Sequence, residues 1–399
     1  MDDAGTATRV ALLSFLVALG PLTTDMYLPA LPTLGDALNA GVDQLQLTLS
    51  VFLAGFACSQ LFYGPLSDRF GRRPVMIAGL LIFAAATLGC IHARTIEELI
   101  ALRFLQAVGG CAGPVLGRAI VRDLYDREQA ARMLSYMGMV MGLAPALAPV
   151  LGAYLLVTLG WRSIFQALAL YGVLALIVIT WVVAESNRQP DPEALRLGRM
   201  LRNYGQLCRD GRYLGYTLSV SFVFAGLFAF ISGSSFAIID YYGYAPAQFG
   251  YFFAIMVVGY MGGTLLSARL GGRFSLDRLL LGGATLCAVA GVAMVLLMWW
   301  RVPHVAGLVA PVVGYAMGVG IVMPQGMAGA IGPFPRMAGV ASALLGFIQM
   351  GMAAILGVLV GQFHDGTPLT MSVAIAGAGG ATLLSGWLAT RRPRVLAVA

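Results

Sequence analysis

The stretch that decides the fold is Gly64-Pro65-Leu66-Ser67-Asp68-Arg69-Phe70-Gly71-Arg72-Arg73-Pro74, residues 64–74. It lies between two apolar stretches, near 45–65 and 74–92, that are each long enough to cross a bilayer as a helix. Asp68 lies at a predicted helix end, where it can pair with Arg69 or Arg72 and cap the start of the following helix. The pattern predicts a charged latch, a set of ion pairs that can hold one side of the protein closed. A simple positive anchor, the alternative, would require neither the acid nor the glycines.

The rest of the chain continues the same apolar pattern. Of its 399 residues, 59% are hydrophobic and 11% are charged, whereas soluble domains are about a quarter charged. We therefore predict an all-α membrane protein with twelve transmembrane helices. The predicted spans lie near 9–31, 45–65, 74–92, 97–120, 132–156, 162–184, 213–239, 247–268, 278–299, 304–330, 337–361 and 368–389.

The charge distribution predicts how these spans are oriented. All 25 basic residues are Arg, and the formal net charge is +7. If the N-terminus is cytoplasmic, only Arg94, Arg162 and Arg301 face outward, which is the asymmetry that the positive-inside rule describes. We therefore expect both termini to be cytoplasmic. The net charge indicates contact with anionic lipid, and no nucleic-acid partner is expected.

The chain divides into two halves that repeat each other weakly. The fourth predicted span carries Gly110 and Pro114, and the tenth carries Gly320 and Pro324 at the same spacing. Such duplication is typical of transporters built from two pseudo-symmetric bundles around a central cavity. The predicted domains are an N-terminal six-helix bundle, a cytoplasmic linker and a C-terminal six-helix bundle, over 1–184, 185–212 and 213–399. Apolar residues recur at helical spacing among the linker's arginines, which favours a basic amphipathic helix over a disordered segment.

Asp25 is the only acidic residue that lies clearly inside a predicted span. A carboxylate at that depth costs about 2.5–3.5 kcal/mol on insertion scales, so it should face a cavity, carry a partner or be protonated. Pro21, Pro29 and Pro32 flank it and predict a local helix break that frees backbone carbonyls. Asp25 is therefore predicted to bind and release a proton or to bind a substrate cation. A purely structural acid that ties the break to a neighbouring helix is the alternative.

Arg103 is the matching basic residue in the fourth span, and Gln106 lies one turn further on the same face. We expect Arg103 and Asp25 to reach the same cavity. The alternative is a static pair of Arg103 with Asp25 or with backbone carbonyls.

Aromatic, Met and amide side chains in several spans are candidates for lining a substrate cavity, because they offer large and adaptable surfaces. For any single one of them, packing in the core or against lipid is the alternative. The candidates are Tyr27, Gln106, Tyr136, Met139, Phe224, Phe228, Phe230 and Gln349. In the fifth span, Gly142, Pro145, Pro149 and Gly152 predict a face that can bend.

Several motifs resemble one transporter family. Residues 64–74 are similar to the signature loop of the major facilitator superfamily, G-x-x-x-D-R-x-G-R-R, at every position. T-D-M-Y-L-P-A-L-P from Thr24, R-F-L-Q-A-V-G-G from Arg103 and A-P-A-L-A-P-V-L-G from Ala144 resemble the bicyclomycin/chloramphenicol-resistance (Bcr/CflA) type of drug/proton antiporter. F-I-S-G-S-S-F from Phe230 and A-S-A-L-L-G-F-I-Q from Ala341 do so as well. The resemblance covers nearly the whole chain and implies the major facilitator fold in a bacterial inner membrane.

The resemblance also implies roles for particular residues. Arg103 is expected to respond to the proton. The expected cytoplasmic gate consists of Gly64, Asp68, Arg69, Gly71, Arg72, Arg73 and Asp123. The bending face resembles the antiporter motif of exporters only in part, because Ala144 stands where Gly is usual. Some relatives carry a further acid in the first span where this chain has Val17 and Ala18, so coupling is expected to rest largely on Asp25.

These features together predict proton-coupled secondary active efflux of small drug-like molecules, such as chloramphenicol- or bicyclomycin-like antibiotics, by alternating access. The alternative is a transporter of the same fold for a small metabolite, such as an amino acid or a sugar derivative. The sequence contains no G-x-x-x-x-G-K-[ST] phosphate-binding motif, so we expect a proton gradient to supply the energy and expect no cofactor, no metal and no enzymatic activity. A monomer is expected.

Overall fold

Helices account for nearly all of the structure, a computed structural model that describes residues 3–187 and 190–391. A backbone in lipid must satisfy its polar groups internally, and a helix does so within one segment. The N-terminal half contains α1 (Asp3–Asp25), α2 (Leu31–Leu38), α3 (Val42–Phe70), α4 (Arg72–His92), α5 (Ile96–Gly110), α6 (Ala112–Leu124), α7 (Arg127–Leu159) and α8 (Arg162–Trp181). The linker contains α9 (Leu197–Arg209). The C-terminal half contains α10 (Gly211–Ser235), α11 (Pro246–Leu270), α12 (Leu276–Trp299), α13 (Ala306–Ile331), α14 (Ala338–Gln362) and α15 (Leu369–Arg391).

Twelve spans in the described ranges are long and apolar enough to cross a membrane, which confirms the predicted number. The first span combines α1 and α2, and the fourth combines α5 and α6. The charged turn is shorter than predicted, because α3 continues to Phe70 and only Gly71 separates it from α4. Gly71 has a φ of +96°, a region that glycine adopts at little cost. Asp68 and Arg69 therefore belong to the last turn of α3.

The two divided spans break where proline removes a helical donor. In the first span, Pro29 and Pro32 have no N–H to donate to the preceding turn, and Leu28–Ala30 forms a short 3-10 turn between α1 and α2. In the fourth span, Pro114 lies just after the junction of α5 and α6. The predicted break near Asp25 is confirmed, since α1 ends at Asp25 itself. Broken helices of this kind expose backbone groups at membrane depth in transporters.

The linker contains the predicted helix, α9. Its Met200 and Leu207 are buried. The Tyr204 hydroxyl donates to the Leu61 carbonyl of α3 at 3.3 Å, and α9 also packs against α10 and α14. The linker helix therefore touches both halves.

The two ends of the protein differ in how the halves meet. We call the end that carries α9 and Gly71 the linker face, and the other end the opposite face. At the opposite face, the Ser235 hydroxyl of α10 donates to the Leu28 carbonyl at 2.6 Å, and Gly250 of α11 packs against Val150 of α7. At the linker face, no hydrogen bond or ion pair between described residues joins a membrane-spanning helix of one half to one of the other. Gln60 of α3 also packs against Gly346 of α14, so these two helices keep the halves in contact over much of their length.

Candidate proton and substrate site

Asp25 is the last residue of α1 and is 5% exposed. Within the described parts of the chain, its carboxylate has no recorded hydrogen bond or ion pair. A buried carboxylate without a partner is costly unless it is protonated or reached by water. Asp25 must therefore be protonated or reached by water, and its role in binding and releasing a proton stays a prediction.

Arg103 is fully buried in α5. Its Nη1 donates to the Thr23 carbonyl at 3.2 Å and to the Gln106 Oε1 at 2.7 Å. Its guanidinium carbon lies 4.7 Å from the ring centre of Tyr27 and 4.4 Å from that of Phe52, distances at which an aromatic face attracts a cation. The Nε and Nη2 atoms are buried and have no hydrogen-bond partner. The guanidinium is thus held by two rings while much of its hydrogen-bonding capacity is unused.

Arg103 contacts the helix that ends at Asp25, but the two side chains are not paired. Arg103 binds the Thr23 carbonyl, two residues before Asp25, but no ion pair among the described residues includes either side chain. Of the predicted alternatives for Arg103, contact with a backbone carbonyl is the one seen in this conformation. The expectation that both side chains reach one cavity stays a prediction.

Gln106 extends the site into α4. Its Nε2 donates to the Thr87 hydroxyl at 2.9 Å, and that hydroxyl donates to the Phe83 carbonyl of its own helix. The Tyr27 hydroxyl lies 3.0 Å from the Thr48 hydroxyl of α3. Sequence reasoning missed both threonines, because a single threonine in an apolar helix gives no spacing signal. The site therefore draws on α1, α3, α4 and α5.

Gly152 of α7 touches the backbone at the break after Asp25. A methyl group on Gly152 would lie 2.0 Å from the Met26 carbonyl oxygen, so the two helices can approach this closely only because the side chain is missing. A methyl group on Gly142 would have no neighbour within 4 Å. Because α7 is continuous through Pro145 and Pro149, the bending expected of these four residues stays a prediction.

The other cavity candidates are spread over both halves. The candidates with buried side chains are Tyr27, Gln106, Phe228, Phe230 and Gln349, and those with exposed or half-buried side chains are Tyr136, Met139 and Phe224. Of these, Tyr27 and Gln106 contact Arg103. Phe230 stacks on Phe253 within the C-terminal half, with ring centres 6.5 Å apart. A cavity-lining role for all of these candidates, including Tyr27 and Gln106, stays a prediction.

The charged turn is held together within the N-terminal half. Arg72 pairs with Asp68 and, through its Nε at 2.9 Å, with Asp123 of α6. The Arg69 guanidinium lies over the Phe70 ring instead. Since none of these recorded contacts reaches the C-terminal half, they explain how α3, α4 and α6 are joined. A gate between the halves stays a prediction.

Glu185 caps the start of α4, and the predicted cap by Asp68 is wrong. The two carboxylate oxygens of Glu185 accept the backbone N–H groups of Arg72 and Arg73 at 2.9 and 3.0 Å. A carboxylate at this end of a helix is stabilised by the helix dipole. Asp68 lies one turn too early, inside α3, and its carboxylate binds the Arg72 side chain. Glu185 follows Arg72 by 113 residues, so no local motif relates the two.

Known proteins are similar to this chain in sequence and in the arrangement of their helices. Residues 13–358 match the family described as Major Facilitator Superfamily. The chain is 32% identical to the bicyclomycin resistance protein homolog of Haemophilus influenzae over 90% of each chain. It is 30% identical to multidrug resistance protein D of Escherichia coli over 89% of this chain and 90% of that protein. Among solved structures, a D-xylose-proton symporter is similar with a TM-score of 0.77 over 98% of each chain at 16% identity, a level that relates the fold alone.

Proposed function

This chain belongs to the major facilitator superfamily, and we propose that it exports small drug-like molecules by proton-coupled alternating access. It is a multi-pass bacterial membrane transporter rather than an enzyme. Export is supported by its relatives, which are named for resistance to bicyclomycin and to multiple drugs. The substrates we propose are chloramphenicol- or bicyclomycin-like antibiotics and other small drugs.

The observation that carries the proposal is the buried, unpaired Asp25, together with an unsatisfied Arg103 that binds the carbonyl of Thr23 in the same last turn of α1. A protonated Asp25 is neutral and can remain buried without a partner. A deprotonated Asp25 requires a positive partner, and Arg103 offers two nitrogen atoms that have none. Because burying an uncompensated charge is strongly unfavourable, proton binding to Asp25 and pairing with Arg103 would exclude each other.

This exclusion can couple the proton to the movement of the halves. The break that begins after Asp25 continues to Leu28, whose carbonyl accepts the Ser235 hydroxyl of the C-terminal half. A carboxyl group that moves toward or away from Arg103 therefore acts on the same short segment that joins the halves at the opposite face. In the proposed cycle, a proton from outside binds at Asp25 and displaces the substrate or its contacts with Arg103. The bundles then rock inward, and the proton leaves toward the cytoplasm.

We propose that the linker face is the cytoplasmic side of the inner membrane and that both termini lie there. The linker face carries most of the arginines, in agreement with the positive-inside rule. We also propose that the protein works as a monomer and requires the proton gradient but no cofactor.

Asp25→Asn tests the coupling. The full chain is reconstituted in proteoliposomes, a pH gradient is imposed, and accumulation of chloramphenicol is measured. The native chain is expected to accumulate a drug against its gradient, whereas Asp25→Asn is expected only to equilibrate it, because an amide carries no ionisable proton. Asp36→Asn, which changes an exposed acid of α2, is the matched control and should pump normally. Equal accumulation by Asp25→Asn and the native chain would contradict the proposed role of Asp25, and a native chain that pumps no drug would contradict the export function itself.

A further inference from the structure

Helix α6 has one open face, and two arginines lie on it. Val115 and Arg118 are partly exposed and Arg122 is exposed, whereas the other residues from 112 to 121 are buried. Spacings of three and four place these three residues on one side of the helix. The remaining sides pack against α1, α3, α4, α5 and α7, and no described helix of the C-terminal half packs closely against α6. The open face is therefore not closely covered by another described helix.

Arg118 is partly exposed, whereas the residues next to it in α6 are buried. An arginine facing lipid at this depth would be costly, so we place the open face toward a water-accessible space between the halves. Its Nε donates to the Pro114 carbonyl of the same helix at 2.8 Å, while its two Nη atoms have no partner among the described residues.

The nearest acids along the chain do not neutralise Arg118. Asp123 is bound by Arg72 and by the Ser186 hydroxyl. The Asp126 carboxylate accepts a backbone N–H at the start of α7. Arg122 lies one turn beyond Arg118 and adds a second positive charge to the same face. The open face of α6 is thus an accessible cationic surface at the linker-face side of the cavity.

From this geometry we infer that Arg118, assisted by Arg122, binds the carboxylate or phosphate group of amphipathic organic anions that enter from the linker face. The inference rests on the proposed export function and adds to its neutral drug substrates amphipathic molecules that carry such a group. The Nε bond to Pro114 fixes the plane of the guanidinium, and the two free Nη groups can then donate side by side to two oxygen atoms. Val115, on the same face, offers an apolar contact for the rest of the molecule. Organic cations are disfavoured by the same two charges.

A matched pair of probes tests the inference. Binding of 1-pyrenebutyrate and of its uncharged amide to the purified full chain in detergent is measured by fluorescence anisotropy. The native chain is expected to prefer the carboxylate. Arg118→Gln is expected to weaken carboxylate binding roughly tenfold or more, the usual effect of losing hydrogen bonds to a charged group, and to leave amide binding unchanged. Arg118→Lys, which keeps the charge but loses the fork of donors, should retain part of the preference.

Arg278→Gln is the control for overall charge, because Arg278 is an exposed arginine at the start of α12, and it should leave both affinities unchanged. Three results would overturn the inference: equal native affinity for both probes, an equal loss of both probes in Arg118→Gln, or an equal carboxylate loss in Arg278→Gln. Drug accumulation by the native chain is measured in parallel. Pumping without a carboxylate preference refutes this inference alone, whereas a carboxylate preference without pumping supports the site and refutes the export function.

Discussion

Replacing Gln46 with leucine is expected to hold the opposite face closed. Gln46 and Ser50 of α3 pack against Gly361 and Gly357 of α14, where the two halves meet. Both polar side chains are buried, and neither the Gln46 amide nitrogen, the Gln46 amide oxygen nor the Ser50 hydroxyl has a hydrogen-bond partner. Buried polar atoms without partners destabilise the conformation that buries them. If the halves separate here, water can reach these atoms.

The expected stabilisation of the closed conformation follows from the number of unsatisfied polar atoms that the substitution removes. An unsatisfied buried polar atom costs about 1–3 kcal/mol. Leucine is similar in size to glutamine and removes both unsatisfied atoms of Gln46 without leaving a large cavity. At the lower end of that range, Gln46→Leu stabilises the closed conformation by about 2 kcal/mol, or roughly 30-fold in the equilibrium between closed and open. A protein held closed at this face releases substrate there less often, so turnover is expected to fall as well.

Distances between spin labels on the two halves measure the closed population. Labels are attached through Asp36→Cys in α2 and Trp300→Cys after α12, which are exposed positions at the opposite face of each half. The exposed native cysteines, Cys58 and Cys208, are replaced by serine. The closed conformation gives the shorter distance, and Gln46→Leu is expected to increase its share.

The control for this experiment is Gln362→Leu, the same chemical change at an exposed position of α14, which should leave the distance distribution unchanged. If the share of the short distance stays constant or falls in Gln46→Leu, the unsatisfied amide does not set the balance between the conformations, and the reasoning is refuted.

Two further substitutions test the packing around the site. Gly152→Ala puts a methyl group against the Met26 carbonyl, so it is expected to destabilise the protein by about 1–3 kcal/mol and to impair transport. Gly142→Ala has free space and should be tolerated. Thermal unfolding and drug accumulation are measured for both variants, and equal behaviour would show that α7 can move away from Met26 at little cost. Glu185→Gln weakens the cap of α4 and is expected to lower the free energy of unfolding by about 0.5–1 kcal/mol, as measured by thermal unfolding. Glu193→Gln, which breaks an exposed ion pair, should lower it by less. The reverse order would contradict the capping role.

The number of spans could be predicted from the sequence because lipid restricts the secondary structures that a chain can adopt. An apolar stretch that is long enough to cross a bilayer satisfies its backbone hydrogen bonds by forming a helix. Counting such stretches therefore gives the twelve spans. The ends of the helices were harder to predict, since the interface accepts polar and charged residues within a helix. The last turn of α3 shows this, because Asp68 and Arg69 continue the helix to Phe70 and leave Gly71 as the whole connection.

The candidate site could be predicted in part for a similar reason. Prolines near Asp25 act on their own turn, so the break was visible locally, and the spacing of three between Arg103 and Gln106 predicted their contact. The ring of Phe52 and the Thr87 hydroxyl come from other helices, and the cap by Glu185 comes from the segment after α8. Their positions depend on how helices pack, and that is fixed by many weak contacts at once rather than by any short motif.

Which side of the protein is open depends on the free-energy difference between two conformations. Buried polar atoms that lack hydrogen-bond partners in one conformation bear on that difference. Among the described residues, several buried polar atoms lack partners. The hydroxyls of Ser14 and Thr217 can rotate toward a carbonyl of their own helix, so their cost in any conformation is small. Gln46 and Arg103 are different, because their side chains have donors without partners in this conformation that another helix or water can satisfy. Gln46 lies where the halves meet, and Arg103 binds the last turn of α1, which ends at Asp25. Movement of the halves, or loss of the proton from Asp25, could therefore supply partners. A chain built for one conformation would pair these groups, and leaving them unpaired narrows the free-energy gap to a second conformation, which is what alternating access requires.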